Sequence, residues 1–127
     1  MGKRVSFRKA AVEAARVADE KKSIDIKLYD VQRSSPIADY ILVATVESAP
    51  QSVAVQDEMD RRLKTFLGAG GRRCDGGTRA NWRVIDYGGL VVHLMSESSR
   101  SFFDLERLWE TARTVRWQKG SSRKGGS

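Results

Sequence analysis

Trp82-Arg83-Val84-Ile85-Asp86-Tyr87-Gly88-Gly89-Leu90-Val91-Val92-His93-Leu94-Met95 is the stretch that decides the fold. Apolar residues on both sides of the Gly88-Gly89 pair specify two antiparallel strands and a tight turn, because glycine takes the positive φ angles of a primed turn without strain. The second strand leads into Phe103-Asp104-Leu105-Glu106-Arg107-Leu108-Trp109. Ser101 and Asp104 have N-terminal capping spacing, and Phe102, Leu105, Leu108, Trp109 and Ala112 form one apolar stripe, so a helix is expected there. Between Trp82 and Trp109 the sequence offers no paired nucleophile and base, no metal-ligand spacing and no phosphate loop. It reads as a shaped binding surface.

Upstream, Phe7, Ala11, Ala14, Ala15 and Ala18 recur at three- and four-residue steps with charged residues between them, which is the pattern of an amphipathic helix. Ile24-Asp25-Ile26-Lys27-Leu28-Tyr29 alternates with the period of a strand that buries one face. Tyr40-Ile41-Leu42-Val43-Ala44-Thr45-Val46 is apolar almost throughout and rich in β-branched residues, so both of its faces should be covered. Ser48 and Gln51 have capping-box spacing, and Pro50 is tolerated in a first turn, so a second helix begins near Ala49. Val55, Met59, Leu63, Phe66 and Leu67 make its stripe, and Gly68 with Gly70-Gly71 ends it. Arg72 to Asn81 is expected to be an exposed basic loop. The order α-β-β-α-β-β-α predicts a mixed α/β fold with a four- or five-stranded sheet and helices packed on it.

The 127 residues suffice for one domain, assigned to residues 1–112. No apolar run approaches the roughly 20 residues of a membrane span, and the start lacks the layout of a secretory signal or transit peptide. A cytoplasmic location is expected, with no membrane partner. Cys74 is the only cysteine, which excludes an intramolecular disulfide. The net charge of +7 is concentrated at the C-terminal end, where Arg113, Arg116, Lys119, Arg123 and Lys124 have no acid among them. Residues 113–127 therefore read as a basic tail. Its Gly/Ser-interrupted end from Lys119 cannot bury enough apolar surface to offset its ordering entropy, so it is expected to be mobile. Such a tail serves either as a polyanion contact or as a solubilising end.

Asp25 and Asp30 suggest a metal-binding pair, but an odd separation places them on opposite faces of a regular strand. Gly68-Ala69-Gly70-Gly71-Arg72-Arg73 lacks Gly-Lys-Ser/Thr and follows a helix, so it terminates that helix and is not an anion cradle. His93 is the lone histidine and cannot join a histidine metal cluster. Trp82, Tyr87, Trp109 and Trp117 are of the type enriched at interface hot spots. Trp109 sits in a helix stripe and is assigned to the core. Trp82 and Tyr87 face opposite ways on a regular strand, one toward the core and one outward, and the sequence does not choose between them.

In this order the elements resemble the ribosomal silencing factor, or Iojap-like, family. The matching residues are Ala18-Asp19-Glu20-Lys21-Lys22, Asp25-Ile26, Asp30-Val31, Ser35 through Ala44 with Ala38-Asp39-Tyr40 at its centre, Gln51, Asp75-Gly76, Trp82, Asp86-Tyr87-Gly88, Val91-Val92-His93 and Asp104 through Trp109. The likeness runs from about Val12 to Trp109. It implies a nucleotidyltransferase-like two-layer fold stripped of its catalytic motif, with no enzymatic activity and no cofactor or metal. It also implies binding to the large ribosomal subunit through large-subunit ribosomal protein fourteen, a steric block to joining of the small subunit, and repression of translation under nutrient limitation. Organelle members assist large-subunit assembly, and homodimers occur when the protein is free. Carried over by position, the partner-binding candidates are Trp82, Asp86, Tyr87 and Gly88, with His93, Asp39 and Tyr40. The basic tail adds a candidate contact to ribosomal RNA. Two departures stand out: Gly89 replaces the acid usual after Asp-Tyr-Gly, and Val46-Glu47-Ser48 replaces the usual glycine after Thr45. A nucleotidyltransferase-like enzyme and a general RNA-binding module are the alternative readings.

Overall fold

Every residue of the strand Tyr40–Thr45 is buried, as its unbroken apolar sequence requires, and the sheet is built around it. The structure is a computed structural model that describes residues 7–68 and 81–118 and the backbone of 74–79. Along the chain it contains α1 (Phe7–Glu20), β1 (Ile24–Asp30), β2 (Tyr40–Thr45), α2 (Ala49–Leu67), β3 (Cys74–Arg79), β4 (Trp82–Asp86), β5 (Leu90–Met95), α3 (Glu97–Phe103), a 3-10 helix (Leu105–Trp109) and β6 (Arg113–Thr114). The strands lie in the order β3-β4-β5-β2-β1-β6. β2 and β5 pair in parallel, with Tyr40 opposite Leu90, and the other neighbours are antiparallel. The result is a mixed sheet of five full strands and a two-residue sixth at one edge.

α1 and α2 cover one face. The alanines of α1 (Ala10, Ala11, Ala14, Ala15 and Ala18) are fully buried and let the helix sit close to Leu28, Leu42 and Ala44. Val55, Met59 and Leu63 of α2 reach the same core from beside it. α1 ends in a Schellman arrangement, with Lys22 at φ 71, Ser23 N–H donating to Ala18 O at 2.9 Å and Lys22 N–H to Asp19 O at 3.0 Å. α2 begins and ends as its sequence requires. The Ser48 hydroxyl accepts from Gln51 N–H at 3.1 Å, and Gly68 takes φ 73 and donates to Lys64 O.

Four expectations change. Arg72 to Asn81 contains β3, which pairs with β4 across a register shift between Asp75 and Gly77. Its two glycines, poor strand formers, conceal it in the sequence. The third helix begins at Glu97 behind a Ser96 cap, and it stops at Asp104 in the left-handed region at φ 49, where the sequence suggested a first turn. The primed turn needs only one positive φ. Gly88 has φ 98, Gly89 is not in that region, and Tyr87 N–H donates to Leu90 O at 2.8 Å. Residues 113–118, read as the start of a tail, belong to the body. Arg113 and Thr114 pair with Asp30 and Tyr29, Val115 is buried, and Trp117 packs on the helical core with its carbonyl accepting from Arg16 Nε. The tail from Lys119 onward lies outside the described residues.

Candidate docking face

The face of the sheet away from α1 and α2 has a smaller cover. By strand alternation Trp82, Val84 and Asp86 of β4 share it with Val91, His93 and Met95 of β5 and Ile41 and Val43 of β2. Tyr29, Val31, Ala38, Ile41, Val43 and Met95 form its buried core, and Trp82, Val91, Leu105, Trp109 and Ala112 pack on it half-exposed. A file of rings crosses this face. The Phe102–Phe103, Phe103–Trp82, Trp82–His93, His93–Trp109 and Trp109–Tyr29 centroids are 5.0, 4.8, 6.0, 6.1 and 5.8 Å apart. At its outer end Phe102 is 80% exposed and Phe103 49%, and Leu108, the residue before Trp109, is 72% exposed. Large apolar side chains so exposed beside a half-buried aromatic strip make this face the candidate interaction surface.

A polar knot holds this surface to the sheet. Arg100, buried, donates to both carboxylate oxygens of Glu106 at 2.8 and 3.1 Å, to Thr45 Oγ1 at 2.9 Å and to Asp25 O at 2.5 Å. Tyr29 completes it by donating to Glu106 Oε2 at 2.6 Å. The Arg100 hydrogen bonds hold the Glu106 carboxyl below its ordinary range, and burial, followed by the Glu106 carboxylate, holds the Tyr29 phenol in its protonated form. The fork fixes the 3-10 helix, and with it Trp109, against β1 and β2.

Residues 5–126 match the family model described as "Ribosomal silencing factor during starvation". The chain belongs to the ribosomal silencing factor family. Ribosomal silencing factor RsfS of Bacillus subtilis is 32% identical over 99 residues, covering 78% of this chain and 83% of that protein. The RsfS of Halalkalibacterium halodurans is 31% identical over 102 residues, covering 80% and 86%. The chloroplastic protein Iojap of Arabidopsis thaliana is 32% identical over 83% of this chain and 43% of its own length. A crystal structure of a Chromobacterium violaceum protein superposes with a TM-score of 0.74 at 25% identity, covering 94% of each chain.

Within this silencing-factor fold the seven candidate residues divide into three places. Trp82 and His93 lie together on the ring file, and the indole Nε1–H donates to His93 Nδ1 at 3.1 Å. Burial lowers the His93 pKa to about 4, so the imidazole is neutral near pH 7 with its remaining proton on Nε2. Asp86, Gly88 and Asp39 gather at the turn end of the sheet. There the Asp86 carboxylate accepts from Gly88 N–H at 2.7 Å, and Asp39 N–H donates to Gly89 O at 2.8 Å. Tyr87 and Tyr40 are core residues of the helical face, 2% and 6% exposed. Tyr87 donates to Asp60 Oδ1 on α2 at 2.7 Å, and the Tyr40 hydroxyl accepts from Gln32 Nε2 at 3.2 Å. Of Trp82 and Tyr87, Tyr87 is therefore the buried one, and Trp82 belongs to the open face. Trp109, assigned to the core by its stripe, is a half-exposed member of the file.

Sequence reading missed Val84, Val91, Phe102, Phe103 and Leu108 as surface members. Two-residue alternation from Trp82 and His93 identifies the two valines. The phenylalanines close α3, at a point where the Ser101–Asp104 spacing imitates a helix start. The Asp25 and Asp30 carboxylates stay apart, with Asp25 Oδ2 3.8 Å from Arg100 Nη1 while Asp30 Oδ1 accepts from Gln32. Among the described residues no three His, Cys, Asp or Glu side chains group to hold a metal, and no helix is long and apolar enough to cross a membrane.

Proposed function

We propose that this protein acts by occupancy, docking its ring-bearing face on the large ribosomal subunit at large-subunit ribosomal protein fourteen. There it sterically prevents the small subunit from joining and so represses translation when nutrients fall. The observation that carries this reading is the half-exposed file from Phe102 to Trp109 on the sheet face that α1 and α2 leave uncovered. Family membership supplies the ribosome as the target. Aromatic groups held by a rigid sheet bury large area at little entropic cost, which suits tight docking without chemistry. The same binding at an earlier stage would serve assembly of the large subunit. The free protein would shield this face in a homodimer. The tail beyond Lys119 would add salt-dependent contact with ribosomal RNA.

The experiment is sedimentation of purified subunits with added protein. Cosedimentation with large subunits and fewer joined particles is expected, and absence of binding at moderate salt would overturn the proposal. Replacing the exposed Phe102 and Leu108 together by serine is expected to leave the fold intact and weaken large-subunit binding at least about tenfold, or roughly 1.4 kcal/mol. Deleting residues 119–127 should flatten the salt dependence of binding, and an unchanged slope removes the tail from the contact.

A further inference from the structure

A cavity of about 620 Å³ opens where the β1–β2 loop meets the chain entering β6. Gln32, Arg33 and Ser34 line it from the loop, Thr111 and Arg113 from the C-terminal ribbon, and Asp30 from the end of β1. Arg113 stands directly across the ladder from Asp30. The two form no ion pair. Instead Asp30 Oδ1 accepts from both the backbone N–H and the side-chain amide of Gln32, each at 3.1 Å. Among the described residues neither Arg33 nor Arg113 has a carboxylate partner. The corner thus sets two unpaired guanidinium groups and two hydroxyls against one carboxylate that is already engaged. Arginine's planar fork matches a pair of phosphate oxygens, and the volume lies within the range of small-ligand sites.

We propose that this corner holds a phosphate of an RNA backbone, as a contact separate from the ring file. The phosphate chemistry follows from the cavity itself, while the choice of RNA as its source rests on the ribosomal reading above. Ala112, another wall of the cavity, also packs on the cluster that includes Tyr29 and Trp109, so the corner adjoins the rim of the docking face. A partner seated on the rings would bring its RNA surroundings against Arg33 and Arg113.

The test measures binding of a fluorescently labelled RNA duplex to the full chain over a salt series. The wild type is compared with Arg33→Gln/Arg113→Gln and with Arg8→Gln/Lys9→Gln, which removes the same charge from the exposed start of α1. The Arg33/Arg113 variant is expected to lose about one unit of the log–log salt slope for each phosphate contact removed, while the α1 variant keeps the wild-type slope. An unchanged slope in the first variant, or an equal loss in both, overturns the proposal. So does AMP binding that needs Arg33 and Arg113 while the RNA slope ignores them, because the phosphate would then come from a free nucleotide. Cosedimentation of the Phe102→Ser/Leu108→Ser protein tests the docking face alone, so either reading can fail without the other.

Discussion

A Cβ on Gly89 would run into the Phe7 ring, with Cγ 2.6 Å away, although the glycine's own φ is unremarkable. The acid that the family resemblance leads one to expect here is therefore excluded by a neighbour from α1, and Phe7 fills the space against the helical core. Gly89→Asp is expected to lower the urea midpoint by the equivalent of about 1–2 kcal/mol, as overpacking does, and much less in a Phe7→Ala background. His93 makes a second prediction at this scale. Its folded pKa of about 4 lies below the ordinary 6.5 because burial disfavours the imidazolium. The unfolded chain then takes up the proton first as pH falls, so the stabilisation is complete above about 6.5 and is lost between there and 4. The shift from 6.5 to about 4 corresponds to a loss of about 3 kcal/mol. His93→Asn, which keeps an acceptor for the Trp82 indole, should flatten that limb in urea titrations at successive pH values, whereas Glu106, whose pKa is lowered by its Arg100 hydrogen bonds, loses its contribution only as pH falls below its ordinary value of 4.5.

Arg100 joins elements that the sequence shows as unrelated. Its partners Asp25 and Thr45 lie 75 and 55 residues away, and its fork on Glu106 ties α3 to the 3-10 helix that follows. Arg100→Met strands the Glu106 carboxylate and is expected to cost about 3 kcal/mol in urea unfolding. It should also weaken large-subunit binding, since Trp109 loses its frame. Much of the element level was legible. The bounds of α1, β1, β2, β4 and β5 and the Ser48 cap of α2 carried over with ends shifted by at most a residue or two, but the one-faced alternation expected of β1 did not. Its register shifts between Ile24 and Lys27, Ile24 is exposed, and the consecutive Leu28 and Tyr29 are both buried, one in each core cluster. The hidden elements have physical causes. β3 carries glycines where strand formers are expected, and β6 is only Arg113-Thr114, held by pairing with β1. Asp104 imitates a first-turn acid but ends a helix, so no local signal marks Phe102 and Phe103 as lying at a corner. The ring file combines three separate segments, and only tertiary packing assembles it.

At the scale of the whole molecule, the two faces of the sheet are covered differently. The helical layer is tied down through Arg83, which donates to Ser52 Oγ at 2.7 Å and Gln56 Oε1 at 2.8 Å, and through the ion pairs of Arg62 with Glu13 and Glu58. Val53, exposed on α2, belongs to that side. Val53→Ser is expected to leave large-subunit cosedimentation within about twofold of wild type, in contrast to changes at Phe102 and Leu108, because single exposed apolar residues carry little energy away from an interface. Loss of binding on that substitution would move the docking surface to the helices. The central parallel pair has a further consequence, in time. Tyr40 cannot meet Leu90 until α2, β3 and β4 have been made, and such distant closures are slow. A chain still emerging from a ribosome has no finished sheet and no ring file until β5 and Trp109 are free of the tunnel. The face that carries the rings is therefore among the last parts of this fold to be completed.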